Sequence, residues 1–467
     1  MKKFLLTILI MGLLVASPFT AILIYGAYQE SVYQETFYAE LPDKIERLKN
    51  TEEKKIVFIG GSSLIFGLRS EEIAKATGYE VVDFGLYAAI GTIPMMRLAS
   101  DYINENDIVI LAPEINTQTY SDYIGYSALH KCFEDYKYPL TDFALEENVE
   151  FFFHDFPFIF ERDGVEVTLE EPYTKSSFNE YGDIDSEVVK NNIMGDSYYD
   201  EGQPITFGDE LLDKSFIKEV NRFYRKMNRK GAKMYFSLSP SNALAVDSKG
   251  LAKFEKSLKE KLDCPILGDV NTFTYHQYYF YDTNFHLNRA GSYLHSKTLS
   301  ELLRVELSID NEYVIDVPSM PKPAYYSTGE TVVVDDITYA ESYLNGAFSY
   351  TLTAFGVSKK NITEFRIPET INGAPVNLIG LHAFKDMPNL EKVTIPSTVT
   401  MLYESPFENC PNMVGLYLEH SMPIPVRESG LLDGCASTCK IYIKADYYRR
   451  FMSDYTWVNY RSVMETY

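Results

Sequence analysis

The sequence predicts a parallel α/β sheet domain between an N-terminal apolar helix and a C-terminal repeat solenoid. Three observations lead there. Short apolar strand patterns alternate with helix patterns from Lys55 to Leu307, an uncharged apolar run opens the chain, and a set of motifs near the end recurs 23 residues on (Phe384 to Phe407). Alternating strands and helices at this spacing imply a parallel sheet with helices on its faces. A fixed repeat of this length implies stacked units that bury their apolar sides against one another.

Residues Phe4 to Gly26 carry no charge and follow Lys2 and Lys3. About 20 apolar residues cross the hydrocarbon of a bilayer. Basic residues before the run, with Tyr25 and Tyr28 after it, fit a single-pass anchor in the cell membrane, N-terminus inside and the remaining domains extracellular. The competing expectation is a cleaved signal peptide with Ala16-Ser17 as the cleavage region, although Pro18 follows and the apolar run continues. Both send the rest of the chain outside. Residues 1–27 are therefore read as the anchor and 28–53 as a polar, partly helical juxtamembrane stalk.

The α/β domain is expected over 54–309. Strands are read at Lys55–Gly60, Glu80–Gly85, Asp107–Ala112 and Lys233–Leu238, with a short one at Pro265–Leu267. Helices are read near Ser70, with Ser70 as N-cap, and then over Pro94–Asn104, Asp213–Arg229, Lys249–Leu262 and Ala290–Leu307. Thr117 to Asp209 has little periodicity and is read as an insertion that could form pocket walls. A Pro-containing, acidic stretch over 310–338 reads as a linker, and 339–467 as the repeat domain.

Composition narrows the function. The 43 basic and 66 acidic side chains give a net charge of −23 in 467 residues, which excludes a general nucleic-acid binder, since phosphate binding needs a basic face. The 37 tyrosines suit contact with sugars, which is only a correlation. Five cysteines show no zinc spacing and no disulfide framework, with Cys435 and Cys439 the pair that could join in an oxidising compartment. Neither they nor the histidines His130, His154, His276, His295, His382 and His420 have metal-ligand spacing, so no metal is expected.

Two places carry chemistry. Gly60-Gly61-Ser62-Ser63 follows the first strand, where glycines permit a tight turn and the next helix can stabilise negative charge. Asp282-Thr-Asn-Phe-His286-Leu-Asn-Arg-Ala-Gly291 precedes the last helix. A serine hydroxyl needs a base to become a nucleophile, and a histidine serves best when a carboxylate holds its tautomer. Taken singly, the first motif reads as a turn and the second as a capped turn with a surface histidine. Ser237–Asn242 and the aromatic run around His276 are weaker candidates for substrate contact.

Serine after the first strand, with Asp and His before the last helix, resembles the SGNH/GDSL hydrolases, closest to envelope members such as the DltD-like and O-acylation branch. The resemblance implies a flavodoxin-like three-layer α/β/α domain. It implies Ser62 as nucleophile, His286 as base in a His-Leu-Asn-x-x-Gly setting, and Asp282 as the orienting acid, although the family usually spaces Asp and His by two residues rather than four. It implies an oxyanion donor at Gly85 or Gly91 after the second strand and an asparagine after the third, for which Asn116, two residues beyond the matching position, is the candidate. It implies a substrate wall including Glu114, Ser63 and Asn284. Glu114 falls where the family has its oxyanion asparagine, and an ionised carboxylate cannot donate to an oxyanion, so either Asn116 reaches in, Glu114 is protonated, or the hole relies on backbone donors.

Ala383-Phe384, Pro388-Asn-Leu390 and Val393-Thr-Ile-Pro396 return as Pro406-Phe407, Pro411-Asn-Met413 and Leu416-Tyr-Leu418. These units resemble BspA-like leucine-rich repeats of bacterial surface proteins, which implies a binding or spacer role. The joint expectation is an esterase or acyltransferase for O-acyl groups of glycans or acylated polymers. Such chemistry needs no cofactor, and a membrane acyl-donor protein is a conceivable partner. The alternative is a non-catalytic adhesin or assembly protein with the α/β domain as scaffold.

Overall fold

The computed structural model describes residues 2–134, 150, 153, 157–160, 165–194, 200–322, 325–344, 347–403, 405–424, 426 and 430–467. His154 and parts of the expected insertion lie outside the described residues. Helix α1, Lys2–Ala27, contains an apolar stretch, Lys3–Gly26, whose 18-residue window of mean hydropathy 2.3 is unburied. Its length and composition fit either a membrane span or a signal sequence.

The expected stalk does more than space the domains. Within it, α2 spans Glu40–Asn50 and places Leu41, Ile45 and Leu48 at helical spacing into the α/β core. Lys44 lies on the same face, fully buried, 3.5 Å from the Asp83 carboxylate, and donates to the Asp83 and Gly182 carbonyls. Burial pushes the Asp83 carboxyl above its ordinary range, against the pull of Lys44. Removing one partner of a buried pair strands the other charge. Lys44→Met is therefore expected to destabilise the domain by about 3–5 kcal/mol, read as a lowered urea midpoint.

The central sheet has strands β1 (Lys55–Gly60), β2 (Glu80–Gly85), β3 (Ile108–Ala112), β4 (Lys233–Ser237) and β5 (Ile266–Leu267). Their order is β2-β1-β3-β4-β5, all parallel. β1 and β3 are buried along their whole length and apolar from Ile56 and Ile108 onward, as strands covered on both faces must be. Right-handed crossovers explain the layers. The β1-to-β2 connection, α3 (Ser62–Gly67) and α4 (Ser70–Thr77), moves one way along the sheet. The β2-to-β3 connection through α5 (Thr92–Ser100) moves the other way, and so lies on the opposite face. α6 (Lys214–Lys230) packs beside α5, and α7 (Leu251–Lys261) leads into β5. The last helix, α8 (Arg289–Leu307), returns to pack on α3 and α4. The order reverses between β1 and β3, the switch point beside which open α/β sheets place their sites at the C-terminal strand ends.

One cap differs from expectation. Ser70 is not the N-cap of α4: its N–H and hydroxyl both donate to Asp183, at 2.7 and 2.6 Å. The carboxylate that satisfies this helix start comes from the insertion, over 100 residues away.

The stretch expected as a linker contains structure. β6 (Tyr325–Val334), β7 (Ile337–Leu344) and β8 (Ala347–Phe355) form an antiparallel meander. Asp335 and Asp336, at φ 53° and 58°, make the two-residue turn between β6 and β7. Two consecutive positive-φ residues match the twist of a tight hairpin. β9 (Glu364–Arg366), β11 (Lys392–Ile395), β12 (Gly415–Leu418), β13 (Lys440–Ile443) and β14 (Met464–Thr466) then stack in parallel, while β10 (Ala374–Ile379) joins β8. Val393 pairs with Leu416, one repeat on, and Leu416 with Ile441. The phenyl rings of Phe384 and Phe407 follow the same period, 5.1 Å apart in the core.

Candidate active site

The site grows from the end of β1. Gly60 faces Ala112 across the ladder, and a Cβ there would sit 2.5 Å from the Ala112 carbonyl oxygen. A Cβ on Gly61 would sit 2.3 Å from Glu114 Oε2. The chain can therefore turn into α3 here only with glycines, and the turn leaves Ser62 first in the helix.

Ser62 Oγ lies 2.8 Å from His286 Nε2, and His286 Nδ1 lies 2.8 Å from Asp282 Oδ1. The four-residue spacing of Asp282 and His286 is bridged by Thr283, whose hydroxyl accepts the backbone N–H groups of Phe285 and His286. A carboxylate on Nδ1 selects the tautomer that leaves Nε2 free to accept the serine proton. Phe66, one turn after Ser62, stacks on the imidazole at 4.1 Å and 8° and fixes its plane. Tyr173 donates its hydroxyl to Asp282 Oδ2 and stands 3.3 Å from His286 Nδ1. Burial raises the Asp282 pKa, but the hydrogen bonds and charge of His286, with the Tyr173 hydrogen bond, outweigh it and hold the carboxyl below its ordinary value.

The oxyanion side is arranged differently. The Gly85 N–H donates to Asp83 Oδ1 at 2.8 Å, and the Gly91 N–H to the Ala88 carbonyl at 3.0 Å. Asn116 Oδ1 caps a local turn, accepting from Gln118 and Thr119. Glu114, buried, accepts the Ser63 N–H at 2.8 Å and lies 3.3 Å from Ser62 Oγ through the same oxygen, Oε1. The single Ser62 proton serves one acceptor at a time, and the shorter contact is to the imidazole. Among the described residues, Glu114 Oε2 is buried with no hydrogen-bond partner, as is Ser63 Oγ. Asn284 is fully buried and braces the loops, donating to the Asp200 and Gln203 carbonyls and accepting the Asp200 N–H. Thus Ser62, His286, Asp282, Ser63 and Glu114 come together, whereas the Asn116 amide oxygen, the Asn284 side chain and the Gly85 and Gly91 N–H groups are engaged elsewhere.

Ser239, Ser241 and Asn242 are buried beneath this end of the sheet. His276 and His295 are core residues whose burial holds them neutral, down to about 3, and His420 is likewise held down to about 4. All five cysteines are free thiols. Among the described residues, no cluster of three or more His, Cys, Asp or Glu could hold a metal ion. Sequence reasoning missed Tyr173 and Phe66. Phe66 was findable, because it sits four residues after Ser62 on a helix. Tyr173 carried no signal in its aperiodic segment.

The family model for the BspA type leucine rich repeat region matches residues 352–449 in six copies. The C-terminal region is a BspA-type leucine-rich-repeat domain. Its 23-residue period and parallel ladder are those already described. No curated protein matches the chain. Among solved structures, the chain is similar to a leucine-rich repeat protein from Bacteroides capillosus, at 18% identity and TM-score 0.18, over 25% of this chain and 99% of that one. It is similar to a leucine rich cell surface protein from Faecalibacterium prausnitzii, at 21% identity and TM-score 0.18, over 29% and 39% of the two chains. It is also similar to the YXIM protein of Bacillus subtilis, at 11% identity and TM-score 0.25, over 54% and 57%.

Proposed function

We propose that this chain is a membrane-tethered, extracellular esterase or acyltransferase of the SGNH/GDSL type, joined to its BspA-type domain for surface binding. The observation that carries the reading is the unbroken chain of contacts Ser62 Oγ to His286 Nε2 and His286 Nδ1 to Asp282 Oδ1, each 2.8 Å. The flavodoxin-like strand order and the place of the serine after β1 support it. The length of α1, its uncharged run and Lys2 and Lys3 ahead of that run support single-pass anchoring.

Ser62 Oγ attacks the carbonyl carbon of an O-acyl ester while its proton passes to His286 Nε2. The tetrahedral oxyanion collapses, and the glycan oxygen leaves with that proton. Water, or an acceptor hydroxyl, then attacks the acyl-serine, losing its proton to Nε2, which returns it to Ser62 Oγ as the acyl–serine bond breaks and the acid or a new ester is released. Asp282 steadies the imidazolium in both halves.

A second reading has a specific observation behind it. Glu114 puts a carboxylate against the Ser63 N–H, where a developing oxyanion would need donors. That favours a non-catalytic scaffold whose BspA-type domain does the work. The two readings separate on one assay: the full chain in detergent micelles with p-nitrophenyl acetate. The esterase reading expects turnover that Ser62→Ala reduces to the buffer rate. Equal rates for the two proteins would leave the scaffold reading standing.

A further inference from the structure

We infer that Tyr173 is a positioning residue of the Ser62 site, acting through Asp282, and that the segment following the membrane helix holds it in place. The inference rests on the proposed hydrolase reading. Asp282 presents two oxygens: His286 takes Oδ1 and the Tyr173 hydroxyl takes Oδ2. With both oxygens engaged, the carboxylate cannot rotate away from the imidazole. The phenol also stands 3.3 Å from His286 Nδ1, so it touches both the acid and the base side of the pair. It is poorly suited to ionise, since burial and the Asp282 charge both raise its pKa. It therefore acts as a fixed donor, not as an acid.

The ring is held from two sides. On the site side it packs against Phe66, 5.8 Å between centroids, the same ring that stacks on His286. On the other side it meets Phe37 edge to face at 5.8 Å. The backbones are tied as well. The Phe37 N–H donates to the Tyr173 carbonyl at 3.2 Å, the Lys175 N–H to the Glu35 carbonyl at 2.9 Å, and Thr36 pairs with Thr174. Glu35, Thr36 and Phe37 lie ten residues or fewer after the end of α1 at Ala27. The juxtamembrane segment is thus part of the support of the site, not a spacer.

The test compares wild type, Tyr173→Phe and Ser62→Ala as full chains in detergent micelles, with p-nitrophenyl acetate across a pH series. Tyr173→Phe keeps both ring contacts and loses only the hydroxyl. It should lower kcat about tenfold with KM within twofold, the pattern of an interaction that acts on the transition state. It should also move the acid limb of the profile to higher pH. Losing one of the bonds that hold Asp282 ionised lets that carboxyl protonate sooner as pH falls. Placing 3,5-difluorotyrosine at position 173 strengthens the donor with little change in shape, and should move the acid limb to lower pH. If wild type turns over and neither variant moves kcat or the acid limb, the positioning role is overturned. If wild type itself matches Ser62→Ala, it is the hydrolase reading that fails.

Discussion

His286→Ala lowers ester turnover by about 10⁴-fold in the proposed mechanism, with little change in stability. A serine hydroxyl at neutral pH is a weak nucleophile, and among the described residues nothing else near Ser62 replaces an imidazole at 2.8 Å. The other acceptor in reach, Glu114 Oε1, stands at 3.3 Å and already holds the Ser63 N–H. The vacated space is lined by Phe66, so free imidazole added to the assay should restore part of the rate. A loss of less than about tenfold would mean that the histidine is not the base.

Glu114→Gln has the second large effect, and it is an increase. The buried Glu114 side chain occupies the Ser63 N–H and stands 3.3 Å from Ser62 Oγ, beside the place where the proposed tetrahedral intermediate forms. One oxyanion donor is worth about 10²–10³ in kcat in well-formed sites. A neutral amide at this position can turn its NH₂ toward the oxyanion, and turnover of p-nitrophenyl acetate should rise by about 10–10²-fold. A fall instead would mean that the carboxylate itself serves the chemistry, for instance by recognising a cationic group on the substrate with its unpartnered Oε2.

What could be read from sequence follows from how local the cause is. β1, β3 and β4 were legible because each holds a continuous apolar run, and β2 because Val81, Val82 and Phe84 surround a single Asp83. The serine and the Asp-His loop were legible because the chemistry fixes their place at strand and helix ends. The 23-residue repeat was legible because stacking requires the same apolar positions in every unit. Features set by distant partners were not. Lys44 looks like one more charge in a polar stalk until Asp83 is placed beside it. Ser70 looks like a cap until Asp183 arrives from the insertion. The strands from Tyr325 were masked by the prolines just before them and by an Asp-Asp turn that reads as loop. Tyr173 belongs to the same class, because its role exists only in the contact with Asp282.

Labelling with a fluorophosphonate separates enzyme from scaffold, because the reagent bonds only to a serine whose proton can be taken. The full chain in detergent micelles is incubated with the probe, digested, and the modified residue located by mass spectrometry. The proposed function predicts a single adduct on Ser62, absent from both Ser62→Ala and His286→Ala. An unlabelled wild-type chain, or an adduct that survives in His286→Ala, would contradict it.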